Sequence, residues 1–243
     1  MPTALILGAG SDMAVAIARQ YAGGKYDLQL AARNVDSLYP LQQDLQIRYH
    51  IKVESYAFDA TDFDSHAAFY AGLPVKPDIT ICVYGYLGEQ VKAQSNWSEA
   101  ARIIHTNFTG AVSILNIVAD DYAATGAGTI VGISSVAGER GRQSNYIYGS
   151  SKAGFTTYLS GLRNRLFHKG VHVLTVKPGF VYTRMTEHLK MPPLLTAQPD
   201  AVAKDVYKAA AKKKNVLYTK WFWRYIMLII KSIPEGIFKK LKL

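Results

Sequence analysis

The sequence predicts a single α/β domain with a doubly wound parallel sheet, helices on both faces, and a basic amphipathic C-terminal tail. Three observations carry that expectation. Short runs rich in Val, Ile, Leu and Tyr alternate with longer helix-like segments along most of the chain. Several runs are apolar at every position, as strands buried on both faces of a parallel sheet are. No linker or internal repeat interrupts the β–α alternation. With 243 residues, 49% of them hydrophobic, the chain can bury one large core. The organisation is then residues 1–219 for the domain and 220–243 for the tail.

In order, strands are expected at 3–7, 27–32, 53–58, 79–84, 129–133, 172–176 and 215–218. Helices are expected at 13–21, 36–48, 63–71, 97–124, 148–167 and 199–213. Such a sheet binds ligands at the carboxyl ends of its strands. The opening segment lacks a basic n-region and a cleavage site, so no signal peptide is read there. The single cysteine, Cys82, rules out an internal disulfide and fits a reducing, cytoplasmic setting.

The first strand runs into Gly8-Ala9-Gly10-Ser11-Asp12-Met13-Ala14. A glycine turn ahead of a helix offers backbone N–H groups to an anion such as a pyrophosphate. The spacing is Gly8-x-x-x-Asp12-x-Ala14, and a plain tight turn is the competing reading. The second strand ends at Ala32, followed by Arg33. No carboxylate stands there to bond a ribose 2′-hydroxyl, and a guanidinium can clamp a 2′-phosphate. NADP(H) is therefore the expected cofactor, unless Arg33 is only a solvated residue beside the next helix. After the third strand, Asp59-Ala60 puts a carboxylate at another strand end, for an adenine amino group or simply for a turn; Asp62 is the better cap candidate.

In Ser144-Asn145-Tyr146-Ile147-Tyr148-Gly149-Ser150-Ser151-Lys152, Tyr148 and Lys152 are four apart and share a helix face. Tyr146 is six away and is expected to precede the helix. An ammonium beside a phenol favours the phenolate and brings its pKa nearer to working pH. Ser135 ends the fifth strand thirteen residues before Tyr148 and could hold a substrate carbonyl.

These pieces, with Asn107 and the turn at 178–183, resemble the short-chain dehydrogenase/reductase family in order and spacing over roughly residues 3–183. The resemblance implies a Rossmann-type NAD(P)-dependent oxidoreductase acting on the CH–OH/C=O pair. It implies Tyr148 as general acid or base, Lys152 as tuner of its pKa and holder of the nicotinamide ribose, and Ser135 as orienter of the substrate oxygen. Asn107 would position a relay water. Gly8, Gly10, Ser11, Asp12, Met13, Arg33, Asp59, Ala60, Gly85, Pro178, Gly179, Val181 and Thr183 would line the cofactor. Homo-oligomerisation through helices 97–124 and 148–167 is also implied. Two departures stand out. Asp12 and Ala14 replace family glycines, with Asp12 expected to point away or to cap the helix. Cys82-Val83-Tyr84-Gly85 replaces Asn-Asn-Ala-Gly. Capping by Ser135 and satisfaction of backbone by Asn107 are the plainer alternatives.

The net charge of +10 is concentrated. Residues 204–243 hold 11 Lys/Arg and 2 Asp/Glu, a net of +9, and the first 203 a net of +1. Aromatics, aliphatics and lysines interleave over 220–231, and Pro234 separates a second basic piece at 237–242. This pattern fits a helix lying in a membrane interface; a dimer-covering or core helix is the alternative. No recognition motif accompanies the charge, so nucleic acid is not expected. The histidines, His50, His66, His105, His168, His172 and His188, lack metal-ligand spacing, and no metal is expected. Where the family places its substrate lid, Met185, Leu189, Met191, Leu194 and Leu195 suggest a greasy substrate or a greasy lid-to-core contact, with ordinary packing as the alternative. The stretch 85–90 and the Asp12/Ala14 turn are similar to the family's decaprenylphosphoryl-2-keto-pentose reductase branch. The expectation is an NADPH-dependent ketone reductase, on a lipid-linked keto sugar at the inner face of the membrane. A soluble ketoreductase for acyl, steroid-like or small carbonyl substrates and a non-catalytic NADP-binding scaffold are the alternatives.

Overall fold

Seven parallel strands form the sheet in the order β3-β2-β1-β4-β5-β6-β9 in a computed structural model, which describes residues 1–187, 189 and 191–241. The strands are β1 (Thr3–Leu7), β2 (Asp27–Ala32), β3 (Val53–Ala57), β4 (Ile79–Cys82), β5 (Thr129–Ile133), β6 (His172–Pro178) and β9 (Val216–Thr219). A two-stranded ribbon, β7 (Phe180–Val181) with β8 (Thr196–Ala197), stands at the two ends of the segment expected as a lid. The helices are α1 (Asp12–Gly23), α2 (Tyr39–Tyr49), α3 (Ser65–Ala71), α4 (Gln90–Ser95), α5 (Trp97–Ile104), α6 (Gly110–Thr125), α7 (Tyr146–Leu166), α8 (Pro199–Ala211), α9 (Trp223–Ser232) and α10 (Glu235–Phe238).

Alternation along β1 divides the core. Ala4 and Ile6 pack with α1, α2 and α8, whereas Leu5 and Leu7 pack with α3, α6 and α7. All five β1 positions are buried, as a central strand with two covered faces requires. The strand order reverses direction between β1 and β4, so the loops after these two strands splay apart and leave a crevice.

Several expectations need correction. The stretch expected as one helix over 97–124 is broken: α5 passes into a π-helical turn at His105–Thr109 before α6 resumes. α7 starts at Tyr146, not Tyr148, so Tyr146 is its first residue rather than part of the preceding loop. Asp62 does not cap α3 by its side chain; its carbonyl accepts from Ser65 instead. α4 at Gln90–Ser95 was not anticipated. His188 and Lys242 lie outside the described residues.

The tail folds back on the body. Trp223 and Met227 of α9 are buried against Val136, with Phe180 and Leu195 packed beside them. Among the described residues, no helix is long and apolar enough to cross a membrane.

Candidate active site

A cleft of about 500 Å³ opens at the carboxyl ends of β1 to β4. Ten of the residues expected to hold a cofactor line it: Gly8, Gly10, Ser11, Asp12 and Met13 from the first turn, Arg33, Asp59 and Ala60 from the next two strand ends, Gly85 after β4, and Thr183. Gly8 has φ +90°, and a Cβ there would meet Tyr84 Cβ at 2.6 Å, so only glycine lets the turn pass this close to the β4 loop. Gly10 faces open space, leaving its backbone approachable. Ser11 caps α1, its Oγ accepting from Ala14 N at 3.2 Å.

The far end of the cleft carries both charges expected of it. Arg33 stands exposed after β2. Asp59 Oδ1 accepts from Thr61 N and Oγ1, each at 2.8 Å. Burial pushes the Asp59 carboxyl up, but the Thr61 bonds and the Arg33 charge outweigh it and hold the group below its ordinary value. A nucleotide fits this frame: an approachable glycine backbone and a helix N-terminus for pyrophosphate, a guanidinium for a 2′-phosphate and a carboxylate for adenine. Cys82 and Val83, in place of the family's asparagines, are buried; Cys82 does not line the cleft and Val83 offers it only apolar surface.

Asp12 neither points away nor caps. Its carboxylate accepts from Arg184 N at 2.7 Å and from Arg184 Nε at 2.8 Å, and Arg184 Nη2 donates to Gly10 O at 2.7 Å. The substitution of a family glycine by Asp12 is thus answered from the lid side, across the cleft. Arg184 escaped the sequence reading because no local motif joins positions 172 residues apart.

The chemistry sits beside the cleft, where β5 meets α7. Ser135 stands near enough to Tyr148 to influence its phenol, and its Oγ accepts from Ala137 N at 3.1 Å, capping a turn at Val136–Glu139. Burial pushes the Tyr148 phenol up to about 12, while Ser135 pulls the other way. Lys152 is 3% exposed, and its Nζ donates to Ile133 O at 3.0 Å, 5.9 Å from the Tyr148 ring centroid. Burial lowers Lys152 to about 8. Asn107, on the π-turn, donates to Tyr86 O at 2.6 Å and Ile103 O at 2.9 Å and accepts from Tyr86 N at 3.0 Å. Its side chain clamps the loop after β4. A Cβ at Gly85 would stand 2.9 Å from Asn107 Oδ1 and 3.4 Å from Lys152 Nζ, so these two groups converge on one glycine.

Pro178, Gly179 and Val181 do not line the cleft, nor do Asn107, Ser135, Tyr148 and Lys152. Gly179 has a different task. A Cβ there would lie 1.9 Å from Trp223 Nε1, so its bare backbone makes room for the α9 indole. Val181 is buried in the core. Tyr146 is 41% exposed and outside the cleft.

The Ser135 loop is bound to the tail. Arg140 donates to Ile230 O at 2.6 Å, Ile233 O at 2.7 Å and Lys231 O at 3.2 Å, closing the carboxyl end of α9. It also pairs with Glu235 at 3.0 Å. Burial raises the neighbouring Glu139, but Lys177 at 2.7 Å and the Tyr218 hydroxyl outweigh it and hold the carboxyl below its ordinary value. Among the described residues, no group of three His, Cys, Asp or Glu gathers as for a metal ion.

The short chain dehydrogenase model matches residues 2–192. An uncharacterized oxidoreductase of Mycobacterium tuberculosis is 34% identical over 240 residues, covering 98% of this chain and 96% of that one. A sulfoacetaldehyde reductase of Chromohalobacter salexigens is 31% identical over 74% of this chain and 73% of its own length. Among solved structures, a short-chain dehydrogenase from Sphingobium yanoikuyae in complex with NADPH superposes with a TM-score of 0.85 at 23% identity, covering 99% and 96% of the two chains. An actinorhodin polyketide ketoreductase with NADPH gives 0.80 at 24% identity, covering 91% and 97%. The glycine turn, the switch-point cleft and the Ser–Tyr–Lys group therefore have one common explanation: the chain belongs to the short-chain dehydrogenase family and is a nicotinamide-nucleotide oxidoreductase of the CH–OH/C=O class.

Proposed function

We propose that this enzyme reduces a ketone to an alcohol with NADPH, and that the ketone is carried on a lipid, as in a polyprenyl-linked keto sugar, at the inner face of the cytoplasmic membrane. The observation that carries the reductase reading is the gathering of Ser135 beside Tyr148, with buried Lys152 one turn further along α7. When bound, the nicotinamide supplies the hydride to the carbonyl carbon. Gly10 and the α1 N-terminus hold its pyrophosphate, Arg33 the 2′-phosphate, and Asp59 the adenine.

The protein's own residues move the proton. A phenol held up at about 12 stays protonated at neutral pH, so Tyr148 arrives as a donor. It gives its proton to the substrate oxygen as negative charge develops there, and Ser135 Oγ–H steadies the same oxygen. Lys152 spends one N–H on Ile133 O, which fixes its stem and leaves its other N–H groups for the ribose and the phenolate. Asn107 keeps the Tyr86 loop at the distance that leaves Gly85 between it and Lys152.

The lipid-linked reading draws support from the lid, where Leu194 is 79% and Leu189 40% exposed, and from the likeness of residues 85–90 to the keto-pentose reductase branch. A small soluble carbonyl is the second reading, favoured by the sulfoacetaldehyde reductase relative. The enzyme works as a homo-oligomer through α5–α6 and α7. The test is NADPH oxidation with a polyprenyl-linked keto sugar and with short soluble ketones. Tyr148→Phe lowers kcat by about 10²–10⁴-fold; unchanged turnover in that variant overturns the mechanism. Arg33→Ala lowers kcat/KM for NADPH by about tenfold or more and leaves NADH nearly unaffected. A wild type that prefers NADH overturns the cofactor assignment.

A further inference from the structure

Helix α9 has two apolar faces, and the body covers only one. Trp223 and Met227 are buried, and Phe222, Ile226 and Ile230 pack beside them. The opposite stripe is equally apolar: Tyr225 is 55%, Leu228 62% and Ile229 67% exposed. These positions are three and four apart, so they share one side of the helix. An aromatic and aliphatic stripe of this kind left facing water marks an interaction surface, so it calls for cover.

The patch extends beyond the helix. Trp221 is 74% exposed and meets Tyr225 edge to face, with ring centroids 5.9 Å apart. Lys220 Nζ donates to Leu194 O at 2.6 Å, and Trp223 Nε1 donates to Leu195 O at 3.2 Å. The backbone at Leu194 and Leu195 is thereby fastened to the start of α9, and the Leu194 side chain beside it is 79% exposed. At its other end, the lid reaches Met185 in the cofactor cleft.

Charge decides what the cover is. Arg224 and Lys231 flank the stripe, and Lys239 and Lys240 stand exposed beyond α10. The sole acidic residue in 220–241 is Glu235, which Arg140 engages. A second copy seated on this patch would bring the same cations against themselves, and like charges brought together repel. An anionic bilayer complements every part: aromatics at headgroup level, aliphatics beneath them, and basic stems snorkelling back to lipid phosphates.

We infer that the outward face of α9, together with Leu194 and the basic end of α10, is a docking surface for an anionic lipid bilayer, and that docking there turns the lid of the substrate site toward the lipid. The inference rests on the membrane-surface reading of the enzyme and assigns the residues that make the contact. Arg140 and Trp223 tie α9 to the Ser135 loop and to the segment before β8, so the surface is connected directly to the chemistry.

The experiment is flotation of the full chain with vesicles of phosphatidylglycerol and phosphatidylcholine, and with phosphatidylcholine alone, at low and high salt. The wild type is expected to float with the anionic vesicles only, and less so at high salt. Leu228→Ser with Ile229→Ser is expected to weaken flotation on the order of tenfold or more, since both apolar anchors are lost. The same variant is expected to keep wild-type turnover of a soluble ketone, which also establishes that it folds. Failure of the wild type to float, or equal flotation of the variant, overturns the inference. So does a vesicle-free wild type that is larger by light scattering than the serine variant, because the face then joins copies of the chain. If flotation behaves as expected but the polyprenyl-linked keto sugar is not reduced, the substrate reading fails and the docking surface stands.

Discussion

Lys152 is the residue at which function and stability pull apart. It is buried with the Ile133 carbonyl as its hydrogen-bond acceptor, and burial brings it to about 8 from 10.5. The folded protein therefore releases this proton more readily than the unfolded chain does. Below about 8 both states hold the proton, and the folded state bears the full cost of a buried ammonium. Between about 8 and 10.5 the unfolded chain binds more protons, so the cost fades as pH rises. Lys152→Met, of similar length and without charge, is expected to lose at least about a hundredfold in turnover. Its melting temperature at neutral pH should equal or exceed that of the wild type, and the gap should narrow as pH rises through that window, measured by calorimetry across the range. Their spacing of four places Tyr148 and Lys152 on one helix, but the lowered phenol expected of the ammonium is not what the fold produces: Tyr148 is pushed up to about 12 by burial, and the group that draws it back is Ser135. That rise was not readable in the sequence, because burial depends on how β5, α7 and the Ser135 turn pack together.

Among the elements, the first turn and the lid belong together. Asp12 looked like a defect in a phosphate cradle, because sequence reading judges a turn by its own residues. In the fold it is half of a bridge whose other half, Arg184, enters from the lid. Both side chains are partly solvated, so the ion pair itself contributes about 0–1 kcal/mol; its importance is in where it lies, spanning the entrance to the cleft. Asp12→Ala is expected to speed NADPH dissociation a few-fold, in line with a contact of that size, read by stopped-flow fluorescence, with little change in melting temperature. The same limit of local reading explains the π-turn. Residues 97–124 look like one helix because apolar spacing continues through them. The wide turn at His105–Thr109 becomes legible only when Asn107 is seen bonded to Tyr86, two elements away. By contrast, the strands of the sheet and the glycine cleft were legible because buried parallel strands and tight turns write their demands into adjacent residues.

At the scale of the molecule, the tail proves to be two things in one helix. Its composition pointed outward, to an anionic surface; its packing points inward, with Trp223 filling the gap that Gly179 leaves open. Residue 220 therefore marks a change in composition without marking an end of the core. Arg140→Ala removes three bonds to the α9 carboxyl end and is expected to cost about 1–3 kcal/mol in urea unfolding. It is also expected to lower kcat more than it raises KM, because the loop it anchors carries Ser135. Gly179→Val is expected to be worse for stability, since it forces the indole out. The Arg140–Ile230 contact spans 90 residues of chain. A growing polypeptide thus presents Ser135 and Tyr148 long before it presents the helix that seats their loop, and the site takes its final shape only after that stretch has been made and has folded back. An arrested or clipped chain can possess every residue of the reaction and still lack the scaffold that aligns them, which makes activity itself a report on whether synthesis has run past α9.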